Sequence, residues 1–156
     1  MSTLQRLTTI LTQRQLTIAT AESCTGGNIS SLLTSQSGSS VYFDRGFVTY
    51  SNQSKVEMLG VSKDVLNEFG AVSEQTAEQM AKGVIVQAKT DISIAVTGIA
   101  GPSGGSTLKP VGMVCFGFCI LGNHFTSTQQ FTGDRSQVID ASVNFVLTTL
   151  VNELSS

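Results

Sequence analysis

The spacing of apolar positions changes several times along the chain, and each change marks an element. Leu4, Leu7, Ile10 and Leu11 recur at helical intervals, so the chain opens on an amphipathic helix. Residues 16–21 are rich in strand formers and read as a buried strand. That strand runs into Glu22-Ser-Cys-Thr-Gly-Gly27 and then a short helix through Ile29, Leu32 and Leu33. Gly38-Ser-Ser40 reads as a loop and residues 41–50 as a second strand. Ser51 is a helix N-cap for residues 55–59, which Gly60 ends. Ser62 caps another short helix. Ser73 caps a longer one with a buried stripe of Ala77, Met80, Ala81, Val84 and Ile85. Residues 92–96 form a core strand, followed by a loop over 98–110 that carries Gly98, Gly101, Gly104 and Gly105. Residues 111–121 and 125–131 flank Gly122-Asn123, a hairpin signal. Asp134 caps a last helix with Val138, Ala141, Phe145 and Leu150 on its inner face. Strands interleaved with helices, without a linker or repeat, predict one α/β domain over residues 1–156. The expected architecture is a three-layer α/β/α sandwich around a mixed, mostly parallel sheet.

Composition narrows the function classes. Charged residues are 13% of the chain, against about 25% in an ordinary soluble domain. The surface is therefore built from Ser, Thr, Gln and Asn, repels itself weakly, and favours a homodimer or other homo-oligomer. The net charge is −2 and there is no Lys/Arg run, which argues against nucleic acid as a partner. No 18-residue apolar stretch and no signal-type segment occurs, so a cytoplasmic protein without a membrane partner is expected. The three cysteines, Cys24, Cys115 and Cys119, are too few for a disulfide framework or a zinc site. Cys115 and Cys119 have the even spacing that puts both on one face of a strand. No metal or cofactor is expected.

The common phosphate and nucleophile motifs, Gly-x4-Gly-Lys-Ser/Thr, Gly-x-Gly-x-x-Gly and Gly-x-Ser-x-Gly, are absent. Ser106 to Lys109 matches Ser-x-x-Lys, but Pro110 disfavours the helix that motif needs. The lone histidine, His124, lies beside the hairpin turn, so a Ser-His-Asp triad is not expected. Any nucleophile here needs another base, and a lysine with a pKa lowered by burial is the natural one.

Several ordered segments carry a specific resemblance. They are Thr20-Ala-Glu-Ser-Cys-Thr-Gly-Gly27, Gly38-Ser-Ser40, Gly46-Phe-Val-Thr-Tyr-Ser-Asn52 with Lys55, Gly70-Ala-Val-Ser-Glu74, Thr97-Gly-Ile-Ala-Gly-Pro102, Lys109-Pro-Val-Gly112 and Gly133-Asp-Arg135. Over nearly the whole chain these resemble the CinA C-terminal domain family, which includes nicotinamide-nucleotide amidohydrolases. Many members carry a further N-terminal domain. The resemblance implies hydrolysis of the carboxamide of nicotinamide mononucleotide to nicotinate mononucleotide and ammonia, within pyridine nucleotide recycling. A nucleotide-binding or regulatory module without turnover is the alternative.

The same resemblance implies residue roles. Ser40 becomes the nucleophile and Lys55 its base; a serine there would have its oxyanion held by backbone N–H groups, those of the 38–40 loop being the nearest in sequence. By pattern alone Ser40 is a loop serine and Lys55 a solvated lysine in a first helical turn. Tyr50 relays a proton or orients Lys55, or else is a strand aromatic. Ser23 and Thr97 orient substrate at strand ends, or cap the turns that follow. Gly26 and Gly27 open a helix N-terminus suited to an anion. Gly98 begins a loop that is either a close-approach wall or a mobile flap. Arg135 clamps a phosphate, or pairs with Asp134. Cys24 beside Glu22 is a rival nucleophile.

Overall fold

A computed structural model describes residues 1–156. The elements are α1 (Thr3–Gln13), β1 (Ile18–Glu22), α2 (Asn28–Leu33), β2 (Phe43–Val48), α3 (Asn52–Leu59), α4 (Lys63–Phe69), α5 (Glu74–Ala88), β3 (Ile92–Gly98), β4 (Met113–Ile120), β5 (Asn123–Gln130) and α6 (Arg135–Ser155). The five strands form one sheet in the order β2-β1-β3-β4-β5. β1 pairs in parallel with β2 and with β3, whereas β4 runs antiparallel to both β3 and β5. The sheet is therefore mixed, with helices on both faces.

Strand alternation sorts the core into two halves. Ile18, Ile92, Ile94, Val96, Val114, Phe116, Phe118 and Ile120 point to one face, where they meet Leu7 and Leu11 of α1, Ile29 and Leu33 of α2, and Val138, Val146, Leu147 and Leu150 of α6. The intervening positions are small. Ala19, Ala21, Ala95 and Cys119 face α5 through Met80, Ala81 and Val84, and face α3 through Leu59. Small residues let α5 lie close to the sheet. A Cβ on Gly117 would sit 2.3 Å from the Ala77 carbonyl oxygen, and Ser93 Oγ donates to Ala81 O at 2.7 Å. Cys115 and Cys119 do share this face.

Local signals place most boundaries. Ser51, Ser62, Ser73 and Asp134 each accept a backbone N–H at the start of α3, α4, α5 and α6. Gly60 ends α3 at φ +68°. Two expectations shift. The second strand covers only Phe43–Val48 of the expected 41–50, because Ser39–Val41 turns as a 3-10 segment and Thr49 and Tyr50 leave the sheet toward α3. The hairpin turn is Leu121-Gly122, one residue earlier than expected, and both residues have positive φ (50° and 86°). That is the twist a two-residue hairpin needs. No helix is long and apolar enough to cross a membrane.

Candidate active site

The parallel strands β1, β2 and β3 end on the same side of the sheet, and a cavity of about 300 Å³ lies there. Its walls come from the turn after β1 (Ser23, Cys24), the link after β2 (Tyr50), the first turn of α3 (Lys55), the α4–α5 link (Ala71, Val72), and the end of β3 with its loop. Arg135 closes it from the start of α6. Position outside the carboxyl ends of parallel strands is where α/β sheets place ligands.

Lys55 is the unusual residue. It is 1% exposed, and no carboxylate pairs with it; the only two ion pairs of the chain, Arg45–Asp44 and Lys82–Glu78, lie elsewhere. Its Nζ donates to Thr49 O at 2.8 Å and Tyr50 O at 3.3 Å, and lies 3.1 Å from Ser23 Oγ. Burial pushes the Lys55 ammonium down from its ordinary pKa, and the neighbouring Cys24 opposes this. Carbonyl oxygens can only accept, so in the neutral amine they hold the two N–H bonds. The third position on the nitrogen faces the Ser23 hydroxyl, which itself has Tyr50 O at 3.5 Å as an acceptor, so the serine and the amine are in direct contact.

Ser23 reaches this position by strand parity. It follows β1 on the face shared by Ala19 and Ala21, and it is buried. Glu22, one residue earlier, points to the opposite face and is fully buried. Its carboxylate accepts from Thr25 Oγ1 (2.6 Å), Ile29 N (2.8 Å), Ser30 N (2.9 Å) and Ser30 Oγ (2.7 Å). The anion site at the start of α2 is thus filled by the protein's own carboxylate. It ties the Ser23–Gly27 turn to α2. Gly26 (φ +58°) and Gly27 (φ +110°) make that turn and do not line the cavity.

Thr97 and Gly98 line the cavity as expected. Thr97 Oγ1 donates to Ala71 O at 2.9 Å, fastening β3 to the α4–α5 link. A Cβ on Gly98 would lie 2.8 Å from Val114 Cγ2, so the chain leaves the sheet here only without a side chain. Arg135 bridges the mouth, donating from Nη1 to Gly101 O (2.9 Å) and from Nη2 to the Tyr50 hydroxyl (3.2 Å). Asp134 instead caps α6, so Arg135 is not paired with it. Tyr50 is 62% exposed, with its carbonyl rather than its hydroxyl turned to Lys55.

Ser40 does not come to this cavity. It is exposed in the 3-10 turn before β2, whereas Lys55 bonds to the residues after it. A six-residue strand separates the two ends by roughly 20 Å at about 3.3 Å per residue. The 38–40 loop is equally far from the site. Sequence reasoning gave Ser23 a substrate-orienting place. The signal for its closer partnership with Lys55 was its parity with Ala19 and Ala21 beside a short helix that starts at a strand end. Cys24 lines the cavity, but burial pushes its thiol up to about 12, so it carries almost no thiolate at neutral pH. His124 lies at the other end of the sheet, its Nδ1 2.9 Å from Cys119 Sγ. No three His, Cys, Asp or Glu side chains come together in a way that could hold a metal ion.

Comparison with known proteins agrees with this architecture. The chain is 52% identical over 137 residues to the nicotinamide-nucleotide amidohydrolase PncC of Enterobacter agglomerans, covering 87% of this chain and 84% of that protein. It is 50% identical over 145 residues to a CinA-like protein of Chloroherpeton thalassium, but spans only 34% of that protein's length. Among solved structures, the competence/damage inducible protein CihA of Agrobacterium tumefaciens superposes with a TM-score of 0.95 at 44% identity, covering 99% of this chain and 94% of that one. The competence or damage-inducible protein of Enterobacter asburiae gives 0.94 at 40% identity, covering 97% and 96%. The CinA C-terminal domain model matches residues 2–154, and the chain belongs to the CinA C-terminal domain family.

Proposed function

We propose that this protein hydrolyses the carboxamide of nicotinamide mononucleotide with Ser23 as nucleophile and Lys55 as its base. The 3.1 Å contact between a buried, carboxylate-free lysine and a strand-end serine inside a cavity carries the reading. The name of the 52% identical relative supplies the substrate.

Ser23 Oγ bonds to the carboxamide carbon while its proton passes to neutral Lys55 Nζ and the carbonyl π pair moves to oxygen. That pair then returns and the C–N bond breaks. The departing nitrogen takes the proton from Lys55 and leaves as ammonia, and a nicotinoyl ester remains on Ser23. Water attacks the ester, giving its proton to Lys55. Lys55 returns that proton to Ser23 Oγ as the ester bond breaks and nicotinate mononucleotide is released. Lys55 starts and ends each half-reaction neutral, the form that burial favours. Arg135, with donors remaining beyond those to Gly101 and Tyr50, pairs with the 5′-phosphate at the mouth. Tyr50 orients Arg135 through its hydroxyl and Lys55 through its carbonyl, and Thr97 holds the wall against which the ring lies.

The test is ammonia release from nicotinamide mononucleotide by the purified protein beside Ser23→Ala and Ser40→Ala. The expected result is release by the parent and by Ser40→Ala, and a loss of about 10³-fold or more in Ser23→Ala. Release that survives in Ser23→Ala refutes the nucleophile. No release by the parent, with the nucleotide still bound, refutes the enzyme and leaves a binding module.

A further inference from the structure

A serine that attacks an amide moves negative charge onto the carbonyl oxygen, and the barrier falls only if fixed donors await that charge. Resting on the Ser23–Lys55 reading, the question is which groups those are. Side chains offer little. Lys55 is committed to the proton, Thr97 Oγ1 donates to Ala71 O, and Arg135 reaches across the mouth.

The backbone offers more. Buried N–H groups in folded proteins are nearly always paired, so an unpaired one calls for an explanation. Three buried residues that line the cavity, Cys24, Ala100 and Gly101, have N–H groups with no acceptor elsewhere in the backbone or on another residue's side chain; that of Cys24 meets only its own sulfur. The residues that precede each segment, and the strand-side partner of Ile99, are satisfied. Ser23 N donates to Val96 O at 3.0 Å, Ile99 N to Met113 O at 2.9 Å, and Gly112 N to Ile99 O at 2.7 Å. The unpaired donors thus sit on two separate segments that line the same cavity as Ser23.

Both segments are held in place. The Glu22 carboxylate fixes the turn carrying Cys24. Arg135 fixes Gly101 through its carbonyl, and Gly101 adopts a left-handed φ of +84°. A Cβ there would fall 2.4 Å from Val111 Cγ1, so the loop is seated on Val111. Donors on rigid segments need no reorganisation when charge develops. One donor from the residue after the nucleophile and others from a separate loop is also the arrangement α/β hydrolases use at their strand-to-helix turn.

We propose that the N–H groups of Cys24, Ala100 and Gly101 form the oxyanion hole of this site. They receive the carboxamide oxygen as the Ser23 Oγ–carbon bond forms. The residues after β1 and β3 supply it, and the 38–40 loop does not.

Pyridine-3-boronic acid tests this directly. Its boron accepts the Ser23 oxygen, the serine proton passes to Lys55, and the tetrahedral boronate stands in for the intermediate. In the crystal structure of the full chain with this probe, one boronate oxygen is expected about 2.7–3.1 Å from at least two of the three nitrogens. Boronate oxygens that all point to Thr97 Oγ1 or to solvent overturn the proposal. Ala100→Pro deletes one donor. A kcat lower by about 10²–10³, with KM changed only a few-fold, is expected. An unchanged kcat overturns the proposal; should this variant melt early, the crystal structure decides. Ser23→Ala separates the two ideas. If it abolishes turnover and the parent still forms no boronate adduct, the hole is wrong. If it retains turnover, the serine reading is wrong, and the hole falls with it.

Discussion

Replacing Lys55 with Met removes the base and keeps nearly the same length of buried chain. General acid–base catalysis by a positioned group is worth about 10²–10⁴-fold. In the proposed mechanism Lys55 acts in both half-reactions, and it touches Ser23 Oγ at 3.1 Å, which places the expected loss near the upper end. At 1.36 kcal/mol per factor of ten, 10⁴ is about 5 kcal/mol of barrier. The pH dependence follows from the direction of the shift. Burial lowers the Lys55 pKa, so the reactive neutral amine appears as pH rises through a value below the ordinary lysine range near 10.4. Activity of the parent is therefore expected to climb with pH before that range is reached. The assay is ammonia release across pH, with kcat and KM fitted separately for parent and Lys55→Met. The same shift has a stability sign. Between the folded and unfolded pKa the unfolded chain binds the extra proton, so stability from this group rises with pH across that window. Lys55→Met lacks this rise. Turnover within tenfold of the parent, or a rising limb that persists in Lys55→Met, would refute the argument.

Other expectations rest on separate contacts. Glu22→Ala strips the acceptor from Ile29 N and Ser30 N and should cost roughly 3–6 kcal/mol in urea unfolding, at about 1.5–3 per charged hydrogen bond, whereas Glu22→Gln retains most of it. Equal melting of the two would show that the carboxylate is dispensable. Gly117→Ala drives a methyl against Ala77 O and should destabilise by about 1–3 kcal/mol, with α5 displaced from the sheet; unchanged stability would mean that α5 rides more loosely than its contacts indicate. Iodoacetamide at neutral pH should leave Cys24 unlabelled in the folded protein and label it in denaturant, because burial holds the thiol near 12. Rapid labelling of the native chain, read by mass spectrometry, would restore the cysteine as a candidate nucleophile.

Much of the molecule was already written along the chain. Periodicity and capping residues are local signals, so Ser51, Ser73 and Asp134 announce α3, α5 and α6 without any knowledge of the fold. His124 beside the hairpin turn argued against a histidine triad, and the ordered motifs pointed to the family that residues 2–154 match. The sequence by itself also singled out Lys55, Thr97, Gly98 and Arg135, all of which line one cavity. It did not determine which serine Lys55 meets. Ser23 and Ser40 are both small polar residues within three positions of a glycine, and only the parallel pairing of β1 and β2 decides between them. That pairing brings the ends of the two strands together, with Ser23 and Thr49, and leaves Ser40 at the opposite edge. The burial that lowers the Lys55 pKa is likewise tertiary. It comes from α3 docking on those strand ends, where an amine that would be solvated in an isolated helix finds two carbonyls and a serine.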